Sequence, residues 1–229
     1  MYIQGYMFEY IFISEKIYIE MISNIELIDE GLSLFQKKNE NKDFTLIARD
    51  CVGGVLYHQL GLKFLSPTIN LFLSPEDFNC FCLNLKDYLD GELKEHLCEE
   101  KYPVGMLHPR KGSKLEPIRI DFMHYPSFEE AYRKWNERKE RINWDNMFVV
   151  STFCYPNETN KFNKKLVEDW NKIKYKKVVL VDKKYGFAGE FVIKKPKECK
   201  DYAWLLYQPN NEKWERTFNE FDFIEFLNS

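Results

Sequence analysis

The segment whose residue types most directly suggest chemistry is Ala48-Arg49-Asp50-Cys51-Val52-Gly53-Gly54. Phe44 to Ala48 is a short apolar run that reads as a buried strand, so Cys51 falls where a strand gives way to a helix. A helix N-terminus favours anions, which biases a thiol there toward thiolate. Gly53 and Gly54 would let backbone approach a ligand and leave amides free for an oxyanion or phosphate. The competing reading is a packed thiol beside a tight glycine turn.

A second segment, Ile120 to Tyr125, places His124 just past the end of an expected strand, Pro117 to Met123. If the strands are parallel, Cys51 and His124 share the sheet edge at which open α/β sheets bind ligands. There they could act as nucleophile and base. A histidine hydrogen-bonded to a loop is the plainer alternative.

A third segment runs from Trp135 to Asn146 and sets a charged helix end against a polar turn with two indoles. Arg138 lies at the margin of that helix's buried stripe, and Asn143, Trp144 and Asp145 occupy the turn. An aromatic face beside polar side chains suits a sugar, although a solvated, capped helix end explains the same pattern. Asp182, after a valine-rich strand, would share the Cys51 edge. Glu76 and Asp77 are explained by helix capping alone.

Positioning these residues requires alternating strands and helices. Residues 15–38 carry Ile17, Met21, Ile25, Ile28, Leu32 and Phe35 at helical spacing. They read as an N-terminal helical appendage, with residues 1–42 apart from a single α/β domain over residues 43–229. Thr68 to Leu73 reads as a strand. Ser74-Pro75-Glu76-Asp77 reads as a helix start, and Ser127 with Glu130 as a capping box. Met147 to Thr152, Lys177 to Val181 and Glu190 to Ile193 read as strands, and Phe218 to Leu227 as a closing helix. The alternation predicts a three-layer α/β fold, a mainly parallel sheet with helices on both faces.

Composition narrows the classes without naming a reaction. The 229 residues include 19 Phe, 14 Tyr and 5 Trp, enough bulk for a sizeable core. Lys+Arg 33 against Asp+Glu 36 leaves a net charge of −3, so no excess positive charge drives nucleic-acid binding. The six cysteines include no C-x-x-C pair, which speaks against a zinc site or a disulfide framework; no metal and no cofactor is expected. Reduced thiols point to a cytoplasmic protein. The N-terminus lacks a basic region and cleavage site, and no apolar run approaches the ~20 residues of a membrane span. Nucleotide-loop, nucleophile-elbow and D-x-D patterns are missing.

Taken in order, Asp50-Cys51-Val52-Gly53-Gly54, His58-Gln59-Leu60-Gly61-Leu62, Ser66 to Phe72, Pro75 to Phe78 and Tyr102 to Gly105 resemble one known family. So do Phe122 to Tyr125, Glu130 to Arg138 and Arg141 to Asn146, extending the resemblance over about residues 43–228. It is the bacterial family of unknown function numbered nineteen-nineteen, whose members are often labelled exopolysaccharide biosynthesis proteins. In that family Asn usually precedes the cysteine, where this chain has Asp50. A carboxylate there opposes a thiolate by like charge.

The resemblance implies a cytosolic enzyme of exopolysaccharide or capsule assembly, a transferase or Cys/His hydrolase acting on an activated sugar or glycan substituent. Its partners would be a sugar nucleotide or glycan precursor and other polysaccharide-assembly enzymes. Cys51 and His124 would then be catalytic, with Gly53, Gly54, Arg138, Asn143, Trp144 and Asp145 binding substrate. A non-catalytic precursor-binding or enzyme-partner protein of the same pathway is the alternative. An inaccessible Cys51 would favour it.

Overall fold

A computed structural model of the chain describes residues 30–197, 199, 204–208 and 214–229. The expected appendage helix is seen only as α1, Glu30–Lys38; residues 15–29 of that expectation lie outside the described residues.

Four strands form a parallel sheet: β1 (Thr45–Ala48), β5 (Met147–Phe153), β6 (Lys176–Val181) and β7 (Glu190–Val192), in the order β1-β5-β6-β7. Both faces are apolar. Ile47, Val149, Val179 and Val181 join one core, whereas Leu46, Phe148, Val150, Val178 and Leu180 join the other. That two-residue alternation, apolar on each side, is what a doubly covered parallel sheet requires.

Two helices cover the second face, α2 (Cys51–Gln59) through Val52, Leu56 and Tyr57, and α8 (Phe223–Asn228) through Phe223 and Leu227. The first face is covered by α3 (Pro75–Leu83), α4 (Leu85–Leu89), α5 (Phe128–Lys139) and α7 (Lys164–Lys172). A short α6, Pro156–Thr159, follows β5. The three-layer α/β architecture is therefore as expected.

Three features differ from the sequence reading. First, the strand near Pro117 is β4 (Ile118–Asp121), and it joins a separate antiparallel sheet with β2 (Glu92–Glu95) and β3 (Val104–His108). Leu93, Leu107, Ile118 and Ile120 of that sheet complete the first core. Second, Thr68 to Leu73 is not a strand. Asn70 at φ 56 breaks the extension, and only Phe72 makes a bridge, antiparallel to Asp121. Third, the closing helix is split. A 3₁₀ turn over Thr217–Glu220 precedes α8, which Asp222 restarts by accepting from the Glu225 amide at 2.9 Å. The two serine caps hold, Ser74 on Asp77 and Ser127 on Glu130.

β1 is an edge strand, yet its outer amides are satisfied by side chains. The Tyr57 hydroxyl accepts from the Leu46 amide at 3.0 Å and donates to the Phe44 carbonyl at 2.8 Å. Thr68 Oγ1 accepts from the Ala48 amide at 2.9 Å. This closes the edge to other strands and ties α2 and the 66–69 segment to the sheet.

Tyr57→Phe keeps the ring but leaves the buried Leu46 amide and Phe44 carbonyl without this partner. It should lower unfolding free energy by about 1–3 kcal/mol in urea titration. A smaller loss would mean that the edge is closed by other contacts.

Candidate functional site

The most strongly determined polar cluster sits at the carboxyl edge of the parallel sheet, where β1 ends and α2 begins. Arg49, the residue after β1, is fully buried. Its Nη1 donates to Glu158 Oε1 at 2.6 Å and to the Leu73 carbonyl at 3.1 Å. Its Nη2 donates to Thr152 Oγ1 at 2.5 Å and to Glu158 Oε2 at 3.2 Å. The guanidinium lies 4.9 Å from the centre of the Phe72 ring, and its Nε has no hydrogen-bond partner among the described residues.

Asp50 serves two structural roles at once. One oxygen caps α2 by accepting from the Val52 amide at 3.0 Å. The other accepts from the Thr152 hydroxyl at 2.6 Å and lies 3.8 Å from Arg49. Burial works against the Arg49 charge, but Glu158 and Asp50 outweigh it and hold the guanidinium above its ordinary pKa. Burial raises the Glu158 carboxyl, against the pull of Arg49.

Beside this cluster lies a cavity of about 150 Å³, bounded by Phe72, Ser74, Glu76, Phe153, Glu158 and Lys161. Two phenyl rings, a hydroxyl, two carboxylates and an ammonium meet there, at the edge where α/β sheets place ligands.

Cys51 opens α2 and is partly covered. Burial, and then the neighbouring Asp50 charge, push its thiol from 9.0 up to about 12. Desolvation thus overrides the helix N-terminus, and the thiol stays protonated at neutral pH.

His124 is exposed, in the turn after β4. Because β4 belongs to the antiparallel sheet, the expected shared edge of one parallel sheet does not exist. That turn instead brings in Tyr125, near enough to Cys51 for their ionised forms to repel. The Tyr125 hydroxyl donates to the Ile69 carbonyl at 2.7 Å and accepts from Arg138 Nη1 at 2.6 Å. Arg138 is buried, deeper than the stripe margin suggested, with its guanidinium 5.1 Å from the Phe64 ring centre.

Gly53 and Gly54 act by absence of a side chain. A Cβ on Gly53 would stand 2.4 Å from the Ala48 Cβ, and one on Gly54 would stand 2.3 Å from Asn70 Oδ1. Both are buried contacts between α2 and its neighbours rather than an open anion cradle.

Asn143, Trp144 and Asp145 precede β5 and so lie at the amino edge of the sheet. The pairing of Thr45–Ala48 with Met147–Val150 puts them past the opposite end of β1 from Cys51, roughly 10 Å or more along the strand. Asn143 accepts from the Asp145 amide at 3.2 Å and donates to the Asp43 carbonyl at 3.0 Å. Its amide donates to Thr45 Oγ1 at 2.8 Å, which aligns β5 with β1. Trp144 is 41 % exposed, with Lys86 Nζ 5.6 Å from its ring centre. The structure therefore gathers Cys51, Tyr125 and Arg138 into one neighbourhood and leaves this trio elsewhere.

Arg49, Thr152 and Glu158 were not singled out from sequence. Two signals bear on them: a charged residue directly after the apolar run ending at Ala48, and a hydroxyl pair, Ser151-Thr152, inside an otherwise apolar strand. Nothing local marks Glu158. Among the described residues no group of three or more His, Cys, Asp or Glu is placed to hold a metal ion, and no helix is long and apolar enough to cross a membrane.

Two predictions follow from this cluster's electrostatics. Arg49→Leu strands Asp50 and Glu158 as buried charges and should cost about 3–5 kcal/mol of stability, measured by denaturant unfolding. An unchanged midpoint would show that the carboxylates are not held as ions. The second concerns alkali. The folded Cys51 pKa of about 12 lies above the ordinary 9.0, so the unfolded chain ionises first. The thiol's contribution is intact below pH 9.0 and is lost as pH rises toward about 12. Cys51→Ala should make the alkaline fall in melting temperature shallower; an identical pH profile would contradict the raised pKa.

Comparison with known proteins places the sequence in a family. The model of the "Domain of unknown function (DUF1919)" matches residues 11–228. A protein of Haemophilus influenzae, described as "Uncharacterized protein", is 31% identical over 195 residues, covering 84% of this chain and 88% of its own length. With the match spanning the α/β core, the Cys51 turn and the carboxyl-edge cluster alike, the chain belongs to the DUF1919 family.

Proposed function

We propose that this protein serves exopolysaccharide or capsule assembly by holding a glycan precursor at the carboxyl edge of its parallel sheet, with no nucleophilic step at Cys51. The pathway rests on the family resemblance. The binding role rests on one observation, the cavity that sets Phe72 and Phe153 beside Ser74, Glu76, Glu158 and Lys161. The partly exposed Phe72 ring suits the C–H side of a sugar ring, and Ser74, Glu76 and Lys161 suit its hydroxyls, above a floor of buried Phe153 and the Arg49-bonded Glu158. Glu158 is neutralised by Arg49, and Glu76 offsets Lys161, so the cavity carries no net positive charge for a diphosphate and suits the sugar portion of a precursor.

The precursor-binding reading is preferred to cysteine-based acyl or glycosyl transfer. A thiol held near pKa 12 supplies almost no thiolate at neutral pH. His124 is exposed on the turn after β4, and the bonded contacts in that region are made by Tyr125.

The test is calorimetric titration of the full chain with methyl hexosides and N-acetylhexosaminides, alongside thiol alkylation followed by mass spectrometry. Glu76→Gln, at an exposed position on the cavity wall, should weaken sugar binding about tenfold, the loss expected for one charged hydrogen bond. Cys51→Ala should leave binding unchanged. Absence of binding to any sugar would overturn the proposal. So would rapid modification of native Cys51 at neutral pH together with loss of binding in Cys51→Ala.

A further inference from the structure

Resting on that reading, we infer that the sugar cleft continues between α3 and α7 into a second subsite, and that the ligand is an oligosaccharide of at least two units. A cavity of about 330 Å³ adjoins the first, and Glu76 and Leu166 line both. The two depressions therefore sit side by side, with Glu76 and Leu166 at their common border. Its floor is fixed because Asn79 Nδ2 donates to the Leu166 carbonyl at 3.0 Å and fastens α3 to α7.

The two parts of the groove differ in chemistry. The first has the phenyl rings. The second is walled by Asn79, Asn84, Asn163, Lys165 and Asp169; Asn79 Nδ2, Asn84 Nδ2 and Asn163 Oδ1 hold backbone groups, and the remaining amide and charged atoms are of the kinds that donate to and accept from hydroxyls. Leu83, 37 % exposed, offers an apolar patch at the same wall. The Lys165 side chain is 78 % exposed, so this part opens to solvent and leaves a path for a longer chain.

The charges argue against a nucleotide in this part. Asp169 pairs with both Lys165 and Lys172, and Glu76 adds a further negative charge. Among the described residues Lys165 is the one cation of this wall and it is paired with Asp169, which suits neutral hydroxyls better than a diphosphate.

Cys80 provides a position-specific reporter. It lines the second cavity and not the first, with its sulfur 3.2 Å from the Tyr88 hydroxyl, while the exposed Cys98 serves as an internal control. The experiment titrates the full chain with methyl glucoside, methyl galactoside and methyl N-acetylglucosaminide, and with maltose, cellobiose, lactose and chitobiose. Site-resolved alkylation is run in parallel.

At least one disaccharide should bind about tenfold or more tightly than its monosaccharide, equal to about 1.4 kcal/mol. The same disaccharide should slow alkylation of Cys80 several-fold and leave Cys98 unaffected. Lys165→Ala should remove the disaccharide's advantage and leave monosaccharide affinity as it was. Equal affinities with an unprotected Cys80, while monosaccharides still bind, would overturn the second subsite alone. Absence of binding by every sugar would overturn this inference together with the reading it rests on.

Discussion

A buried guanidinium needs counter-charges and acceptors within reach, and Arg49 draws them from four places in the chain. Glu158 comes from α6, Thr152 from β5, the Leu73 carbonyl from the segment leading into α3, and Asp50 from the next residue. Satisfying one side chain therefore fixes where β1 ends, how β5 leaves the sheet and how α6 turns back. Removing the Glu158 partner leaves an uncompensated charge in the interior, a far larger penalty than losing a surface pair. The carboxyl edge is consequently rigid at its base, which is the condition for a shaped ligand cavity beside it.

The same cluster decides the fate of the neighbouring thiol. A helix N-terminus on its own would lower the pKa of Cys51. Here the capping carboxylate of Asp50 and the packing of α2 against β1 act in the opposite direction, and burial is the larger cause. Gly53 and Gly54 contribute to that burial, since they allow the helix to approach Ala48 and Asn70 more closely than any Cβ would permit. What resembles a nucleophile turn in sequence is, in space, a tightly packed helix start. The open, chemically mixed surface lies one element away, between β5, α3 and α7.

The antiparallel sheet explains why the amino half of the chain behaves differently from a simple βα repeat. The connection from β1 to its neighbour β5 contains α2 to α5 and all of β2, β3 and β4. This insertion caps the first core with Leu93, Leu107, Ile118 and Ile120 and carries Tyr125 back to β1, where it meets the Ile69 carbonyl and Arg138. Edge strand β1 is sealed by the same inserted region through Thr68 and by α2 through Tyr57.

Local chemistry in the sequence was enough to determine the parallel strands and most helices. Valine-rich and leucine-rich runs buried on both sides can only be sheet interior, and the serines at 74 and 127 start helices because their hydroxyls meet free amides. The family, too, was legible in ordered motifs. Strand partnership was not, since Ile118–Asp121 has the same apolar pattern whether it pairs in parallel or antiparallel fashion. Nor was the site. Asn143, Trp144 and Asp145 look like sugar-binding residues until strand direction places them at the amino edge, and Glu158 gains its meaning only beside Arg49, 109 residues away in sequence. Patterning and capping act over a few residues, so the sequence contains them. Charge pairing, burial and the sharing of an edge depend on distances between remote segments, which only the folded chain sets.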